Sequence, residues 1–415
     1  MHSPGNRWFI LAVCVLANIC QGVAYTSSIF MLPLGKILDR PQAEWSREWG
    51  LIFAMTLAFL PVGMILSGKL ADLGKTRLTI GLGTLLYCGG LVLAGYGTSV
   101  LWIAATLGMM TSVGSGGVYG TILGAAVRWF PDKRGLASGI AAGAVAIGPI
   151  ILAPLTGALM AACGVMNMFK ILGIICFVFM GLAAVFVRNP EPGYAPAGWD
   201  PARSARPAAA AAGLTWRQMI RQPLFWLLWT TYFCGVFSGV LVSGLAAPIA
   251  IELAGFRPEQ AVVPVMTFAL SNACGRVLWG CLSDLAGRLP MIAAAFVLTA
   301  AAAFTLYWHV GTAGVFLPCL AVVGLCYGGA YGTFPSLSAD SFGLKHAALN
   351  LAVLITSLSI VAFLAPQVIG HYRAAGTDRY ATAFLVAACV ACAGIGLSAI
   401  VGITHNKRFP SNSIQ

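Results

Sequence analysis

The chain has 415 residues, of which 59% are hydrophobic and 9% are charged, and its formal net charge is +12. This composition excludes a soluble protein of two or three domains, because a water-exposed surface would need many more charged residues. It indicates a polytopic membrane protein.

Twelve apolar stretches follow one another along the chain, and each is close to the roughly 20 residues that cross the core of a bilayer as a helix. Glycine and proline inside them do not argue against helix, because neighbouring helices satisfy the freed backbone groups. The predicted spans lie at about 8–33, 48–67, 78–97, 101–126, 136–160, 167–187, 223–252, 260–283, 290–309, 314–338, 347–370 and 381–404.

Three polar residues of the first predicted span, Asn18, Gln21 and Tyr25, fall on one helical stripe. Such a stripe faces the protein interior rather than lipid. We expect these side chains either to line the outer half of a substrate path or to form hydrogen bonds with neighbouring helices.

The loop after the second span, from Gly68 to Arg77, contains glycines that allow a tight turn and an aspartate, Asp72. An aspartate can cap the start of a helix and pair with a basic group. Arg128 begins the next loop on the same side of the predicted membrane. We predict that Asp72, Arg128 and the corresponding Asp284 of the second half act as a conformational latch. The alternative is a charged turn that only fixes topology.

A hexapeptide of the fourth span returns in the tenth: residues 116–121 read GGVYGT and residues 328–333 read GGAYGT. The same offset of 212 positions relates Asp72 to Asp284. The chain therefore holds two copies of one unit, as in secondary transporters whose halves rock about a central site. We predict an all-α integral membrane protein with twelve transmembrane helices in two pseudo-symmetric six-helix bundles. Residues 1–187 form the N-terminal bundle, 188–222 a proline-rich cytoplasmic linker, and 223–415 the C-terminal bundle.

One arginine, Arg276, lies deep within a predicted span. It precedes Asp284 by eight residues, about 12 Å of helix in a bilayer core about 30 Å thick. A cation at this depth costs at least about 2.5–3.5 kcal/mol, so it should face a cavity and meet an anion. No predicted span holds a similarly deep Asp or Glu, and we expect the anion to be the substrate. The alternative is that Arg276 binds helix-end carbonyls or extends toward the membrane surface.

Four further residues are candidates for the same site. Asn272 lies one turn before Arg276 on the same helix face and adds an amide that can both donate and accept hydrogen bonds. Tyr119 and Tyr331, related by the repeat, have a similar predicted depth of about 13 Å, and Tyr327 lies one turn from Tyr331. Their phenols are expected to bind the ligand while their rings exclude water. Plain packing would also explain tyrosines on glycine-rich helices.

The basic residues lie mostly on one side of the predicted membrane. With both termini in the cytoplasm, sixteen Lys and Arg fall in cytoplasmic segments and seven in the opposite ones. This asymmetry predicts a multi-pass protein of the bacterial inner membrane with cytoplasmic N- and C-termini, and it explains the positive charge without a nucleic-acid partner. Motifs for phosphate, metal or cofactor binding are missing, as is a set of catalytic residues. We therefore expect a carrier driven by gradients rather than an enzyme.

The segment from Arg128 to Gly139, RWFPDKRGLASG, together with the stretches at 6–9 and 334–336, resembles the oxalate/formate antiporter branch of the major facilitator superfamily. That branch is related to the monocarboxylate (lactate and pyruvate) transporters. The loop from Gly68 to Arg77 is similar to the signature loop of the superfamily. The resemblance implies a carboxylate carrier whose anion binds the arginine of the eighth helix, here Arg276, ringed by aromatic residues at positions such as Tyr119, Tyr327 and Tyr331.

The chain departs from the relatives that the resemblance implies. A lysine in the eleventh helix of the oxalate carrier is replaced by Leu358, and a glutamine in its second helix by a residue near Leu57. Animal lactate carriers have an aspartate where this chain has Asn272, and a lysine in the first helix, whereas the first lysine here is Lys36. Proton coupling by that route is therefore not expected.

A single deep cation suits a single carboxylate with an apolar tail. We therefore predict a carrier of small monocarboxylates such as lactate, working by alternating access with proton symport. The alternative is an obligate exchanger of the oxalate/formate type. A channel or receptor would not need a deep arginine in only one of two repeats.

Overall fold

The computed structural model describes residues 6–191, 193–196, 199, 213–252, 254–257, 260, 262–309, 311–374 and 380–408. Within these ranges the regular structure is helical. Residues 200–212 of the predicted linker, with Arg203 and Arg206, lie outside the described ranges.

Seven helices make up the first part of the chain: α1 Arg7–Cys20, α2 Ser27–Ile37, α3 Gln42–Asp72, α4 Thr76–Ala94, α5 Val100–Ile103, α6 Thr111–Trp129 and α7 Arg134–Phe186. A 3₁₀ turn over Gln21–Thr26 separates α1 from α2. A π-helical segment over Ala104–Met110 joins α5 to α6, so that Val100–Trp129 reads as one span.

The second part of the chain contains eight helices: α8 Trp216–Ile220, α9 Pro223–Glu252, α10 Val262–Ala286, α11 Arg288–His309, α12 Ala313–Phe342, α13 Ala347–Leu354, α14 Ser357–Ala374 and α15 Tyr380–Arg408. The short α8 begins with a capping box, in which the side chains of Thr215 and Gln218 satisfy its first turn.

Among the described residues, eleven helical segments are long and apolar enough to cross a membrane. One of them, α7, has 53 residues and would be about 80 Å long as a single helix, far more than a bilayer core of about 30 Å. Gly164 breaks α7 with a φ of 77° and a ψ of 167°, so this segment supplies two spans. The prediction of a twelve-span, all-helical fold is confirmed.

The prediction of one continuous helix over residues 8–33 is wrong. α1 ends at Cys20, and within the 3₁₀ turn the Thr26 hydroxyl donates to the carbonyl of Val23 at 2.8 Å. The turn lies where Gly22 closely approaches another backbone, since a Cβ on Gly22 would lie 2.6 Å from the Cα of Gly148. Tyr25 is therefore outside the α-helical stripe that carries Asn18.

The helices form two compact units. The first unit comprises Met1–Pro131 and Ala144–Tyr194, and in it α6 packs against α3 and α4. The second unit comprises Asp132–Gly143 and Ala195–Gln415, and in it α12 packs against α10 and α11, and α15 against α9 and α11. The beginning of α7 thus belongs to the second unit. The predicted division at 187 and 223 stays a prediction.

The sequence repeat corresponds to the same packing in both units. In the first unit, a Cβ on Gly116 would collide with the carbonyl oxygen of Leu60 in α3. In the second, a Cβ on Gly328 would collide with the carbonyl oxygen of Asn272 in α10. Each glycine is needed because the two helix backbones touch at that point.

Candidate functional site

Arg276 is the centre of the candidate site in the second unit. Only 2% of its surface is exposed. Its Nε donates to Oδ1 of Asn272 at 3.2 Å, and its Nη1 donates to the carbonyl oxygen of Ala142 at 2.8 Å. The guanidinium lies over the ring of Tyr331, 4.4 Å from the ring centroid. Each of these three contacts is made by a neutral group and offsets part of the desolvation cost of the buried cation.

Aromatic side chains form one wall next to the guanidinium. The hydroxyls of Tyr327 and Tyr331 lie 3.2 Å apart, and their rings meet edge to face at 5.3 Å. Phe268 packs on Tyr327 at 5.7 Å and Tyr232 on Tyr331 at 6.1 Å. The wall offers apolar surface and two phenol groups beside a cation, which suits a small organic anion.

Two members of this wall were not predicted from the sequence. Phe268, Asn272 and Arg276 are spaced by four residues along α10, so they share a helix face, and this spacing is a signal for Phe268. Tyr232 carries no comparable signal, because it is a single buried tyrosine in an apolar helix.

A glycine holds the Tyr327 ring in place. A Cβ on Gly239 of α9 would lie 2.7 Å from the Cβ of Tyr327 and would collide with its ring. The ring therefore occupies the space that a side chain at position 239 would fill. This fixes the ring on the α9 side of the wall.

The carbonyl of Ala142 reaches Arg276 because the start of α7 lies directly against α10. A Cβ on Gly139 would lie 3.1 Å from the carbonyl carbon of Arg276, and one on Gly143 would lie 3.3 Å from Val277. Small residues on this face of α7 let the two backbones approach. Ala142 lies inside α7, so its carbonyl is not one of the helix-end carbonyls that the sequence left open as partners of Arg276, and no side-chain pattern identifies it.

Four of the predicted site residues belong to the first unit. Tyr119 is buried in α6. The Gln21 amide nitrogen donates to Oδ1 of Asn18 at 2.6 Å, and the Ser115 hydroxyl donates to Oε1 of Gln21 at 2.5 Å. Gln21 thus bonds to the neighbouring helix α6, as the alternative allowed, whereas this bond of Asn18 is to Gln21 of its own span, and Tyr25 is exposed. A role in ligand binding stays a prediction for all four residues.

The first predicted latch pair is in contact. Asp72, at the end of α3, forms an ion pair with Arg128 at 2.5 Å. Arg128 also donates to Oδ1 of Asn189 at 3.3 Å. Both groups are largely buried, so the pair is shielded from solvent.

The repeat-related Asp284 is bound differently. Its carboxylate accepts the backbone N–H groups of Gly135 and Leu136 at 2.9 and 2.8 Å, which caps the start of α7. Arg288 pairs with Asp284 at 2.6 Å and with Asp340 at 3.1 Å, and Arg134 also pairs with Asp340. The two aspartates therefore hold different elements, and their role in switching stays a prediction.

The described part of the chain contains no group of three or more His, Cys, Asp or Glu side chains placed to bind a metal ion. The chemistry available at the candidate site is that of one buried guanidinium, one amide and a set of phenols and phenyl rings.

The sequence is similar to a family profile and to two known proteins of the same kind. The sequence profile of the Major Facilitator Superfamily matches residues 8–366. The chain is 27% identical over 366 residues to the uncharacterized MFS-type transporter YhjX of Escherichia coli (strain K12), covering 86% of this chain and 87% of the relative. It is 28% identical over 349 residues to the oxalate:formate antiporter of Oxalobacter formigenes, covering 83% of this chain and 80% of the relative.

The fold also matches a solved structure. The crystal structure of the transporter FucP in the outward conformation superposes with a TM-score of 0.71 at 16% identity, covering 94% of this chain and 98% of that one. At this identity the likeness shows the shared fold alone.

Proposed function

Because the chain belongs to the Major Facilitator Superfamily, and the relatives named above are transporters, we propose that it is a secondary transporter of small monocarboxylates. Lactate and pyruvate are the expected kind of substrate, carried by alternating access.

The burial of Arg276 in a membrane-spanning helix is the observation that carries this proposal. Its guanidinium is 2% exposed and is contacted by an amide, a backbone carbonyl and a ring face. A carboxylate can accept two parallel charge-assisted hydrogen bonds from a guanidinium, which neutral groups cannot match. An entering carboxylate would therefore compete with the Ala142 carbonyl and the Asn272 amide for the same donors.

The surroundings of Arg276 favour one carboxylate with an apolar tail. Tyr331, Tyr327 and Phe268 present ring surface beside it. Leu358, at the position where the resemblance expects a second cation, is an almost fully buried apolar side chain. A second carboxylate placed there would be desolvated without a partner, at a cost of several kcal/mol.

We propose proton symport as the coupling mode. Obligate exchange is the second candidate, and one structural observation favours it. The acidic residues that the structure describes lie in loops or within the first or last two turns of a helix, so a deep carboxylate for carrying a proton is not among them. The named relative that exchanges oxalate for formate points the same way.

Uptake of labelled lactate into vesicles containing the purified protein tests both the substrate and the coupling. We expect uptake that rises when the outside is made acidic and that needs no substrate inside. Uptake that appears only in vesicles preloaded with a carboxylate would instead establish exchange. If oxalate displaces labelled lactate more effectively than pyruvate displaces it, the monocarboxylate assignment is contradicted.

We also propose that the protein lies in the bacterial inner membrane with both termini in the cytoplasm. The excess of Lys and Arg in the segments assigned to that side supports this orientation. Cysteines introduced at the two ends of α4 and labelled from each side of right-side-out vesicles test it. Labelling of the Thr76 end from outside the cell would reverse the orientation.

A further inference from the structure

A recess of about 390 Å³ lies in the first unit where α3 turns into α4. Its lining residues are Gly74, Lys75, Thr76, Arg77, Leu78 and Arg188. Three of these six are cations and none is acidic. The nearest acid along the chain, Asp72, is engaged by Arg128, so the charge of this lining is strongly positive.

The start of α4 adds further positive potential to the recess. The first amides of any helix lack acceptors within the helix and form the positive end of its dipole. Here the residue at the N-cap is Lys75, which has no acceptor atom in its side chain, and the first turn contains no acidic residue. Lys75 and Arg77 thus stand at the helix end where cations are unfavourable. A bound anion would be attracted both by the cations of the lining and by the positive end of the α4 dipole, and it would offset the repulsion between them.

A buried hydroxyl in the same turn is also left unsatisfied. Thr76 lines the recess, is 2% exposed, and its Oγ1 has no hydrogen-bond partner among the described residues. Leaving a buried hydroxyl without a partner is unfavourable. An anionic oxygen bound at the start of α4 would supply the missing acceptor.

The backbone that carries the third cation, Arg188, is held by the surrounding structure. The backbone carbonyl of Arg188 accepts from Trp129 Nε1 at 2.6 Å. The next residue, Asn189, donates to the carbonyl of Ala71 at 3.4 Å and accepts from Arg128. These contacts hold the backbone of the segment after α7 against the end of α3 and place Arg188 at the recess.

An apolar track begins at the recess. Leu78, Leu82 and Leu85 lie on one face of α4 and are 50%, 46% and 56% exposed. Leu78 belongs both to this track and to the recess. A phosphate group in the recess would therefore be continuous with acyl chains along the track, which distinguishes a lipid from a free phosphate ion.

We propose that this recess binds the phosphate headgroup of an anionic phospholipid, with Lys75, Arg77 and Arg188 contacting the phosphate and the acyl chains lying along α4. Basic recesses at the ends of membrane helices are suited to such headgroups. The site is separate from the carboxylate site proposed at Arg276.

Native mass spectrometry of the purified full-length protein with added phosphatidylglycerol or phosphatidylcholine tests the proposal, alongside thermal unfolding in the same mixtures. Phosphatidylglycerol should bind and raise the unfolding temperature, and phosphatidylcholine should do neither at the same concentration. In the triple variant Lys75→Gln, Arg77→Gln, Arg188→Gln, the apparent affinity for phosphatidylglycerol should fall by about fivefold per cation, or on the order of 100-fold in total. Thr76→Val should cause a smaller loss.

The matched control removes the same number of charges from exposed positions of the second unit, Arg217→Gln, Arg221→Gln and Lys345→Gln. It should bind phosphatidylglycerol like the unmodified protein. In lipid-free detergent the triple variant should unfold at the same or a higher temperature than the unmodified protein, because its cations no longer oppose the α4 dipole. Equal phosphatidylglycerol binding by the triple variant and the control would overturn the site. Stabilisation by millimolar inorganic phosphate as strong as that by phosphatidylglycerol would overturn the lipid assignment.

Discussion

The repeat gives the molecule two places with the same backbone packing and different side chains. In the first unit, Gly116 lets α6 touch α3 at the carbonyl of Leu60; in the second, Gly328 lets α12 touch α10 at the carbonyl of Asn272. Because the glycine meets a backbone atom, the side chain on the partner helix is not constrained by this contact.

One turn further along, the two places diverge in chemistry. Gly120 packs on the Met64 side chain, while Gly332 packs on the backbone of Arg276. Met64 is buried as an ordinary apolar residue, whereas Arg276 is buried as a cation. At these contacts a glycine sets the distance between the helices, so one copy can hold a charged side chain nearby without losing the packing.

The largest expected effect comes from removing the residue that makes the two places different. Arg276→Ala should weaken lactate binding by at least about 100-fold, because two charge-assisted hydrogen bonds are lost. The lactate affinity of Arg276→Lys should lie between those of the unmodified protein and Arg276→Ala, since the ammonium lacks the planar two-point geometry of the guanidinium. Titration of lactate into each purified variant measures both affinities.

The matched control for Arg276 is Met64→Ala in the other repeat. It should lower stability by about 2–5 kcal/mol, as expected for a truncated buried methionine, and leave lactate affinity within about twofold. The assignment of Arg276 would not survive if Arg276→Ala bound lactate as tightly as Met64→Ala.

The next largest effect tests the shared packing. Gly328→Ala and Gly116→Ala each place a methyl group against a backbone carbonyl, on Asn272 and on Leu60. Both should destabilise by about 1–3 kcal/mol. Gly328→Ala should weaken lactate binding more than Gly116→Ala does, because it displaces α12 from α10, the helix that carries Arg276. Thermal unfolding and lactate titration separate the two effects, and equal losses of affinity in both variants would contradict the comparison.

A smaller effect is expected at the two repeated loops. Asp72→Asn breaks the ion pair with Arg128, and Asp284→Asn weakens the cap at Gly135 and Leu136. If Asp72 biases one conformation, Asp72→Asn should leave equilibrium lactate binding unchanged and slow transport severalfold.

Asp284→Asn should slow transport in the same way and should also lower the free energy of unfolding by about 0.5–2 kcal/mol through the weakened helix cap. Vesicle uptake and accessibility of introduced cysteines provide the measurements. Normal transport and unchanged accessibility in Asp72→Asn would show that the loop is only a topological turn.

The smallest effect concerns the repeated tyrosines. Tyr331→Phe keeps the ring beneath the guanidinium and removes the hydroxyl that contacts Tyr327. Lactate affinity should fall by less than about tenfold, the range of one neutral hydrogen bond. If both phenols bind the ligand as predicted, Tyr119→Phe should cause a loss of similar size. No change in Tyr119→Phe would restrict the ligand site to the tyrosines of the second unit.

What could be predicted from the sequence depends on how local the signal is. The proximity of Asn272 and Arg276 follows from their spacing along one helix, and that of Asp72 and Arg128 from two loops on the same predicted side of the membrane. The structure brings each pair into contact. The Ala142 carbonyl could not be predicted, because every residue has one and only the packing of α7 on α10 selects it.

The break in the first span was missed for a related reason. The break coincides with the close approach of Gly22 to Gly148, residues far apart in the chain. Helical periodicity depends only on neighbouring residues of one segment, so it cannot predict a contact between residues that are distant in the chain. Apolar content alone correctly indicated a span there while giving the wrong local geometry.

The break at Gly164 leaves the two spans of α7 joined by a single residue rather than by a loop. Its φ of 77° and ψ of 167° fall in a region accessible essentially to glycine alone, and α-helix continues on both sides of it. Any residue with a side chain would be strained at position 164, so the connection between these two spans depends on one achiral residue.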